Sequence, residues 1–375
     1  MIEYVEIRNT STELIGIIDT AQSIIWHSVY FGVGDFEIYT KATPQALAIL
    51  RVNNYVTRPN EIEIGIIESV RIVNDRAEGK MITATGRFAK SILDRRIIYN
   101  LSGTVNKATI LRGNVESNIR NVVSKNAISC SFDKKRNISI LELGAAAGIS
   151  AVIVDETGAA AQKQVTYDNL LEYTDKVLQE YGLSSTVILD VEGKKLQYII
   201  YAGVNRSVDN TTNALPVIFS QEFDNLISSD YELNTSTERN VALIGGEGEG
   251  TARFYALLAG SEKDLSRREL FVDASSIGKT YKDESDVEHT YTNAEYTAVL
   301  KQEGKKNLEP LKIEESFFGA LDIVNGNYVY NRDFYLGDII TVQDNEINKY
   351  INARIIEITE VQDENGYTVE AIYQS

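Results

Sequence analysis

The stretch IIESVRIVNDRAEGKMITATG (Ile66–Gly86) has a counterpart near the other end of the chain, IIEITEVQDENGYTVEAIY (Ile355–Tyr373). Each begins Ile-Ile-Glu, continues as an alternating strand, turns through acidic residues that end in glycine (Gly79, Gly366), and returns through a strand containing threonine. In the first return, Ile82, Ala84 and Gly86 interleave with Thr83 and Thr85, the period of two expected of a strand with one face in a core. The second copy has the shorter turn. Two hairpins can match by chance; the alternative is a duplicated β-domain, one copy near each end.

Around the first copy, the leading hundred residues read as strands: EYVEIRN, LIGIID, SIIWHSVY, GDFEIYT, NNYVTR and EIGIIESVRIVND. TPQALAILRV interrupts them as one short helix, with Thr43 as N-cap and Pro44 in the first helical position. From about Leu101 short helices (ESNIRNVVSKN) and an Ala/Gly-rich segment appear. TYDNLLEYTDKVLQEYG is the clearest helix: Leu170, Leu171, Thr174, Val177, Leu178 and Tyr181 share a face, with Thr166 as cap and Gly182 as stop. STVILDVEGKKLQYIIYAG reads as a hairpin around Glu192-Gly193. TNAEYTAVLKQEGKKNL carries a capping box from Thr292 to Glu295. The segment from Leu143 to Gln164, rich in Ala and Gly, buries little surface per residue ordered. It reads either as a mobile element near a channel or as a buried strand AVIV between loops.

The chain has 375 residues, 37 Lys and Arg against 54 Asp and Glu, and a formal charge of −17. That length implies more than one domain. That charge argues against wrapping nucleic acid, though an acidic surface suits a passage through which DNA slides without sticking. The single cysteine, Cys130, excludes an intrachain disulfide and a cysteine-based zinc site. No secretory signal is expected, and the longest nearly apolar run, LGAAAGISAVIV, is short of the ~20 residues of a membrane span.

Chemistry is hard to find. Gly245-Gly246-Glu247-Gly248-Glu249-Gly250 looks like a nucleotide loop, but Thr251 stands at the third fingerprint glycine and ARFYALL reads as a strand, not a helix. His27 and His289, the only histidines, have no His or Cys companions. The acidic run KDESDVEH (residues 282–289) offers oxygens to calcium at Asp283, Glu284, Asp286 and Glu288 but lacks the EF-hand spacing; the plainer reading is a solvated loop. No catalytic set, cofactor or metal site is expected.

LIGGEGEGTAR (Leu243–Arg253) followed by SRRELFVDAS (Ser266–Ser275) resembles the signature of the Gp37-like siphovirus tail proteins. The matching positions are Gly245, Gly246, Gly248, Gly250, Arg253, Arg267, Arg268, Glu269 and Asp273. The family's Tyr-x-x-x-Leu-x-x-x-Gly-x-x-x-Leu helix falls on Tyr296, Leu300, Gly304 and Leu308, and its late Leu-Gly-Asp strand on Leu336, Gly337 and Asp338. An early Gly-Arg pattern falls on Gly86, Arg87, Leu93 and Arg96. In length and overall texture the chain especially resembles the short tail-associated (Tal, baseplate hub) proteins of lactococcal siphophages.

The resemblance implies a mainly β fold with α+β accessory domains, like a phage baseplate hub with two tube-type β-domains plus two smaller domains. On this chain those are residues 1–100 and 206–240 joined with 310–375 for the tube-type domains, and 101–205 and 241–309 for the accessory ones. It implies a structural virion protein and no enzyme: a homotrimer at the distal tail tip that plugs the channel and opens for DNA. Its partners would be a hexameric distal tail protein, receptor-binding proteins and the tape measure protein. Two similar β-domains in each of three subunits would present six similar units to a sixfold tube. In that reading the glycines are backbone architecture at an interface, and Arg253, Arg267 and Arg268 pair with Glu247, Glu249 or Glu269. A cell-wall-degrading tail enzyme or a carbohydrate-binding module are the alternatives.

Overall fold

Both Ile-Ile-Glu stretches lead into antiparallel hairpins in the computed structural model, which describes residues 2–59, 61–76, 79–154, 161–282, 288–321, 328–346 and 349–374. Ser69–Asp75 pairs with Gly79–Arg87, and Lys349–Asp363 with Gly366–Gln374. Each returning strand starts on a glycine with positive φ, +85° at Gly79 and +122° at Gly366, backbone that a side chain would strain. Met81, Ile82, Ala84 and Gly86 are buried while Thr83 and Thr85 are half-buried, as the alternation requires.

The two hairpins belong to one sheet. Ser23–Val29 lies antiparallel to Lys349–Asp363, with Val29 opposite Glu357 and Ile24 opposite Gln362. The ten-stranded sheet therefore runs through Gly366–Gln374, Lys349–Asp363, Ser23–Val29, Asp35–Lys41, Gly79–Arg87 and Ser69–Asp75, joining the two ends of the sequence edge to edge. Lys349–Asp363 does this by being long: its second half pairs with Ser23–Val29 and its first half with Ile339–Asp344. Under this sheet Trp26, Phe36 and Phe88 are closed from solvent, with Trp26 and Phe88 ring centres 4.8 Å apart. Each such ring contributes about 2 kcal/mol by leaving water. His27 bridges the joined edges, its Nδ1 3.3 Å from Asp35 and its Nε2 3.2 Å from Glu357.

The chain divides into two compact units, one comprising 1–153, 160–230 and 317–375, the other centred on Tyr231–Ser316. In the first, helices Val115–Val123 and Leu170–Glu180 pack with the Ser184–Asp190/Lys195–Tyr201 hairpin around Ile119, Leu170, Val187 and Tyr198. Thr43 caps Pro44–Ile49 as expected, accepting from the Ala46 amide at 3.1 Å. Leu170–Glu180 is capped differently. Asn169, not Thr166, accepts from Leu171 and Glu172, because Tyr167 takes a positive φ of 66° and breaks the turn that Thr166 would have started. The expected inner face is buried at Leu170, Leu171, Thr174, Val177 and Leu178.

The Ala/Gly-rich segment is tied down where it is described. The buried Glu116 carboxylate accepts from the Ala147 and Ile149 amides at 2.6 and 2.9 Å, and Ile153 joins the hydrophobic core. Of the two readings of this segment, the buried one holds at Ile153; residues 155–160 lie outside the described residues.

The second unit is a three-stranded sheet, order Tyr255–Leu258, Val241–Gly245, Glu269–Asp273, covered by helix Asn293–Leu308. Its capping box is present, with Thr292 and Glu295 bonded reciprocally. No helix among the described residues is long and apolar enough to cross a membrane.

Candidate functional site

The glycine block forms the centre of this second unit. Strand Val241–Gly245 runs antiparallel to Tyr255–Leu258 and parallel to Glu269–Asp273, with Gly245 opposite both Tyr255 and Asp273. The loop between returns through a 3-10 turn at Gly250–Ala252, and a strand follows, as the sequence indicates. A Cβ on Gly245 would lie 2.7 Å from the Arg253 guanidinium, and one on Gly246 2.7 Å from the Tyr296 hydroxyl. These two positions must be bare for Arg253 and the helix to approach. Gly248 has φ +102°, and Gly250 takes φ +54° in open space.

Arg253 fills the space the glycines leave. It donates to the Gly246 carbonyl at 3.1 Å and the Gly245 carbonyl at 2.9 Å, and pairs with Asp273. The Arg253 side chain is 18 % exposed and its partner 60 %, so the two carbonyl bonds carry more of the stabilisation than the screened ion pair. Hydrogen bonds from Ser275, with Arg253 adding to them, hold the Asp273 carboxyl below its usual range. Of the three expected arginine pairings one holds, Arg267 with Glu269 at 2.6 Å. Arg268 reaches Glu238 at 3.1 Å and the Thr235 carbonyl instead, and Glu247 accepts from the Lys279 amide at 2.6 Å. The parallel register brings Asp273 across to Gly245 and takes Arg253 away from the loop glutamates.

Two of the loop amides that a phosphate would need are engaged. Gly246 N–H donates to the Phe254 carbonyl at 2.8 Å and Glu247 N–H to the Tyr296 hydroxyl at 2.8 Å. Tyr296, Leu300 and Gly304 are the buried residues of their helix, which explains the spacing of that motif. Replacing Arg253 by alanine strips the Gly246 carbonyl of its side-chain donor and leaves Gly245 with the Ala274 amide alone, at 2.8 Å, and the expected loss is about 2 kcal/mol. Thermal unfolding of the purified variant against wild type measures it; an unchanged midpoint would contradict this role.

Asp338, of the Leu-Gly-Asp motif, is an organising group of the first unit. It is 2 % exposed and accepts from the Val204 amide at 2.7 Å, Arg206 Nε at 2.7 Å and the Tyr335 amide at 3.0 Å. Gly337 beside it accepts from Arg354 at 2.6 Å. In the early motif, Arg87 holds Glu68 through Nε and Nη2, each at 3.0 Å, and Asp94 through Nη1 at 3.2 Å. Glu68 and Glu357, the glutamates of the two repeats, thus each secure a strand crossing.

Where Ser23–Val29 meets Lys349–Asp363 lies a buried charge cluster that the sequence did not suggest. Arg58 pairs with Glu61 at 2.7 Å and with Glu360, and stacks over Trp26 with its guanidinium 5.0 Å from the ring centre. Glu63 sits beside them, accepting from Ser28 Oγ at 2.6 Å. Burial pushes the Glu63 carboxyl up to about 8. Its folded pKa exceeds the unfolded value, so its share of stability is full below the unfolded pKa and is lost as pH rises through about 8. Glu63→Gln keeps the acceptor for Ser28 without the ionisation. The variant should outlast wild type at pH 9 by on the order of 2 kcal/mol and show a flatter pH profile. Parallel profiles of denaturation midpoint against pH would contradict it.

Among the described residues, no three His, Cys, Asp or Glu side chains converge as a metal site. Residues 283–287 of the acidic run lie outside the described residues. Cys130 is buried.

The sequence matches the siphovirus ReqiPepy6 Gp37-like protein family over residues 4–373. The chain belongs to this family of siphovirus tail proteins. Comparison with curated proteins finds no match. Among solved structures, the tail protein from Neisseria meningitidis MC58 shares the fold with TM-score 0.59 at 13 % identity, covering 99 % of this chain and 96 % of that one. The 43 kDa tail protein of prophage MuSo2 from Shewanella oneidensis gives 0.58 at 12 %, covering 99 % and 98 %. Prophage tail protein gp18 from Listeria monocytogenes EGD-e gives 0.51 at 10 %, covering 99 % and 94 %. The mainly β fold of phage tail proteins expected from the resemblance is present, and the chain is a structural component of a phage tail.

Proposed function

We propose that the chain is the hub of a siphophage tail tip: a homotrimer that closes the distal end of the tail channel and opens to pass DNA. The observation that supports this most is the single sheet built from the two ends of the sequence through Ser23–Val29 and Lys349–Asp363. Residues 1–100 form one tube-type β-domain and residues 206–240 with 310–375 the other. Three copies then offer six similar edges to a hexameric distal tail protein, which resolves the mismatch between threefold and sixfold rings. Residues 101–205 and 241–309 are accessory domains, and the glycine block with Arg253, Arg267 and Arg268 lies at a chain-to-chain contact. Receptor-binding proteins and the tape measure protein are the further partners. The charge of −17 favours transit of DNA without binding.

Native mass spectrometry of the purified chain, alone and with the distal tail protein, tests this reading. Three copies on six are expected in the complex. A monomer under both conditions would refute it.

A further inference from the structure

In the first unit, away from the seam, a cleft of about 510 Å³ opens between the N-terminal small sheet, the 3-10 helix Ala89–Arg95 and the 137–140 segment. Its polar lining includes Thr10, Asn53, Arg95, Arg96, Asn137 and Ser139, over an apolar floor that includes Ile66, Ile92 and Leu196. No carboxylate lines it, in a chain with 54 acidic residues.

The cations here lack counter-charges. Arg96 donates only to the carbonyls of Arg136 and Arg95, at 2.8 and 2.9 Å. Lys195 donates to the carbonyl of Ser139 at 2.7 Å. Arg136, bonded to Arg96 through its carbonyl, is 7 % exposed and stacks on Tyr99; its Nη1 is closed from solvent and has no partner. Arg95 is exposed, and its guanidinium makes no hydrogen bond among the described residues. Burial, with Arg136 and Arg95 close by, lowers the Arg96 pKa. Like charges gathered without an acid repel one another, and an anion between them removes that cost.

We propose that this cleft binds the phosphate ester of a small polyol, with Arg95 and Arg96 on the phosphate and the amide and hydroxyl side chains on the polyol. Planar guanidinium forks match phosphate oxygens, and three oxygens engage two forks where a carboxylate saturates one. The volume is that of a small-molecule site. Thr10, Asn53, Asn137 and Ser139 supply donors and acceptors for hydroxyls, and the isoleucine floor accepts the C–H faces between them. A nucleic-acid duplex is disfavoured by the chain's overall charge of −17.

Titration calorimetry on the full chain at physiological salt tests this with four probes: glycerol 3-phosphate, glycerophosphoglycerol, inorganic phosphate and glycerol. Saturable binding of at least one ester is expected with Kd below about 1 mM, tighter than inorganic phosphate, and none for glycerol. Tighter binding of the monoester identifies a free small molecule as the source, and of the diester a polymer repeat. Arg95→Ala should weaken binding about tenfold, and Arg95→Glu should abolish it. Lys41→Glu, an exposed lysine outside the cleft, should leave it unchanged. No saturable binding, equal affinity for inorganic phosphate, or undiminished binding by folded Arg95→Glu would each overturn the proposal.

Discussion

Asp338→Ala is expected to lose about 4 kcal/mol of stability in the first unit, enough to unfold a marginal domain. The carboxylate is almost wholly buried and holds Val204, Arg206 and Tyr335 at once, so its removal strands a guanidinium and two amides. Arg206 is 20 % exposed and recovers part of its loss from water. Asp338→Asn keeps the shape and one acceptor and should fall between wild type and alanine. Chemical denaturation followed by tryptophan fluorescence reads the effect, since Trp26, the chain's single tryptophan, lies in the same unit. A midpoint for Asp338→Ala within experimental scatter of wild type would show that the motif is not structural.

The neighbouring glycine should be nearly as sensitive. Gly337 has φ +91°, and a Cβ there would lie 2.2 Å from the ring of Tyr30. That ring is fully buried, and its hydroxyl is fixed between the Gly182 carbonyl and the Gly203 amide, each at 3.1 Å. The ring has nowhere to go, so Gly337→Ala combines backbone strain with overpacking and should cost about 3 kcal/mol. Gly366→Ala is the control: φ is +122°, but nothing lies within 4 Å of the new methyl, leaving strain alone at about 1 kcal/mol. Equal losses in the two variants would remove the Tyr30 contact from the explanation.

Much of the fold can be read from local pattern. The hairpins follow from alternation and turn glycines, and Thr43 and Thr292 act as caps because each precedes its helix at the right spacing. The misreadings share a cause. Thr166 and Asn169 both suit a cap, and the positive φ of Tyr167 that decides between them is not written in composition. Asp273 is the partner of Arg253 only because two strands lie parallel in one register, a contact across 20 positions that no short window contains. Glu63 looks like any strand carboxylate until Ser28, Arg58 and Lys90 close around it from three segments of chain. The cleft is invisible for the same reason: Arg95 and Arg96 adjoin in sequence, but Arg136 and the 137–140 segment reach them only through packing. Arg87, Gly337 and Asp338 were legible as motif positions, but the reason for each lies in a distant partner: Glu68, Tyr30 and Arg206.

The hub reading stands on two β-domains per chain acting as two of six positions in a ring. Electron cryomicroscopy of the chain assembled with the distal tail protein tests that directly. The account predicts three copies around the axis, with the hairpins at Ser69–Arg87 and Lys349–Gln374 taking alternating, equivalent places against six subunits of the tail ring. Six copies, each contributing one hairpin, or a trimer in which only one hairpin of each chain faces the ring, would contradict it.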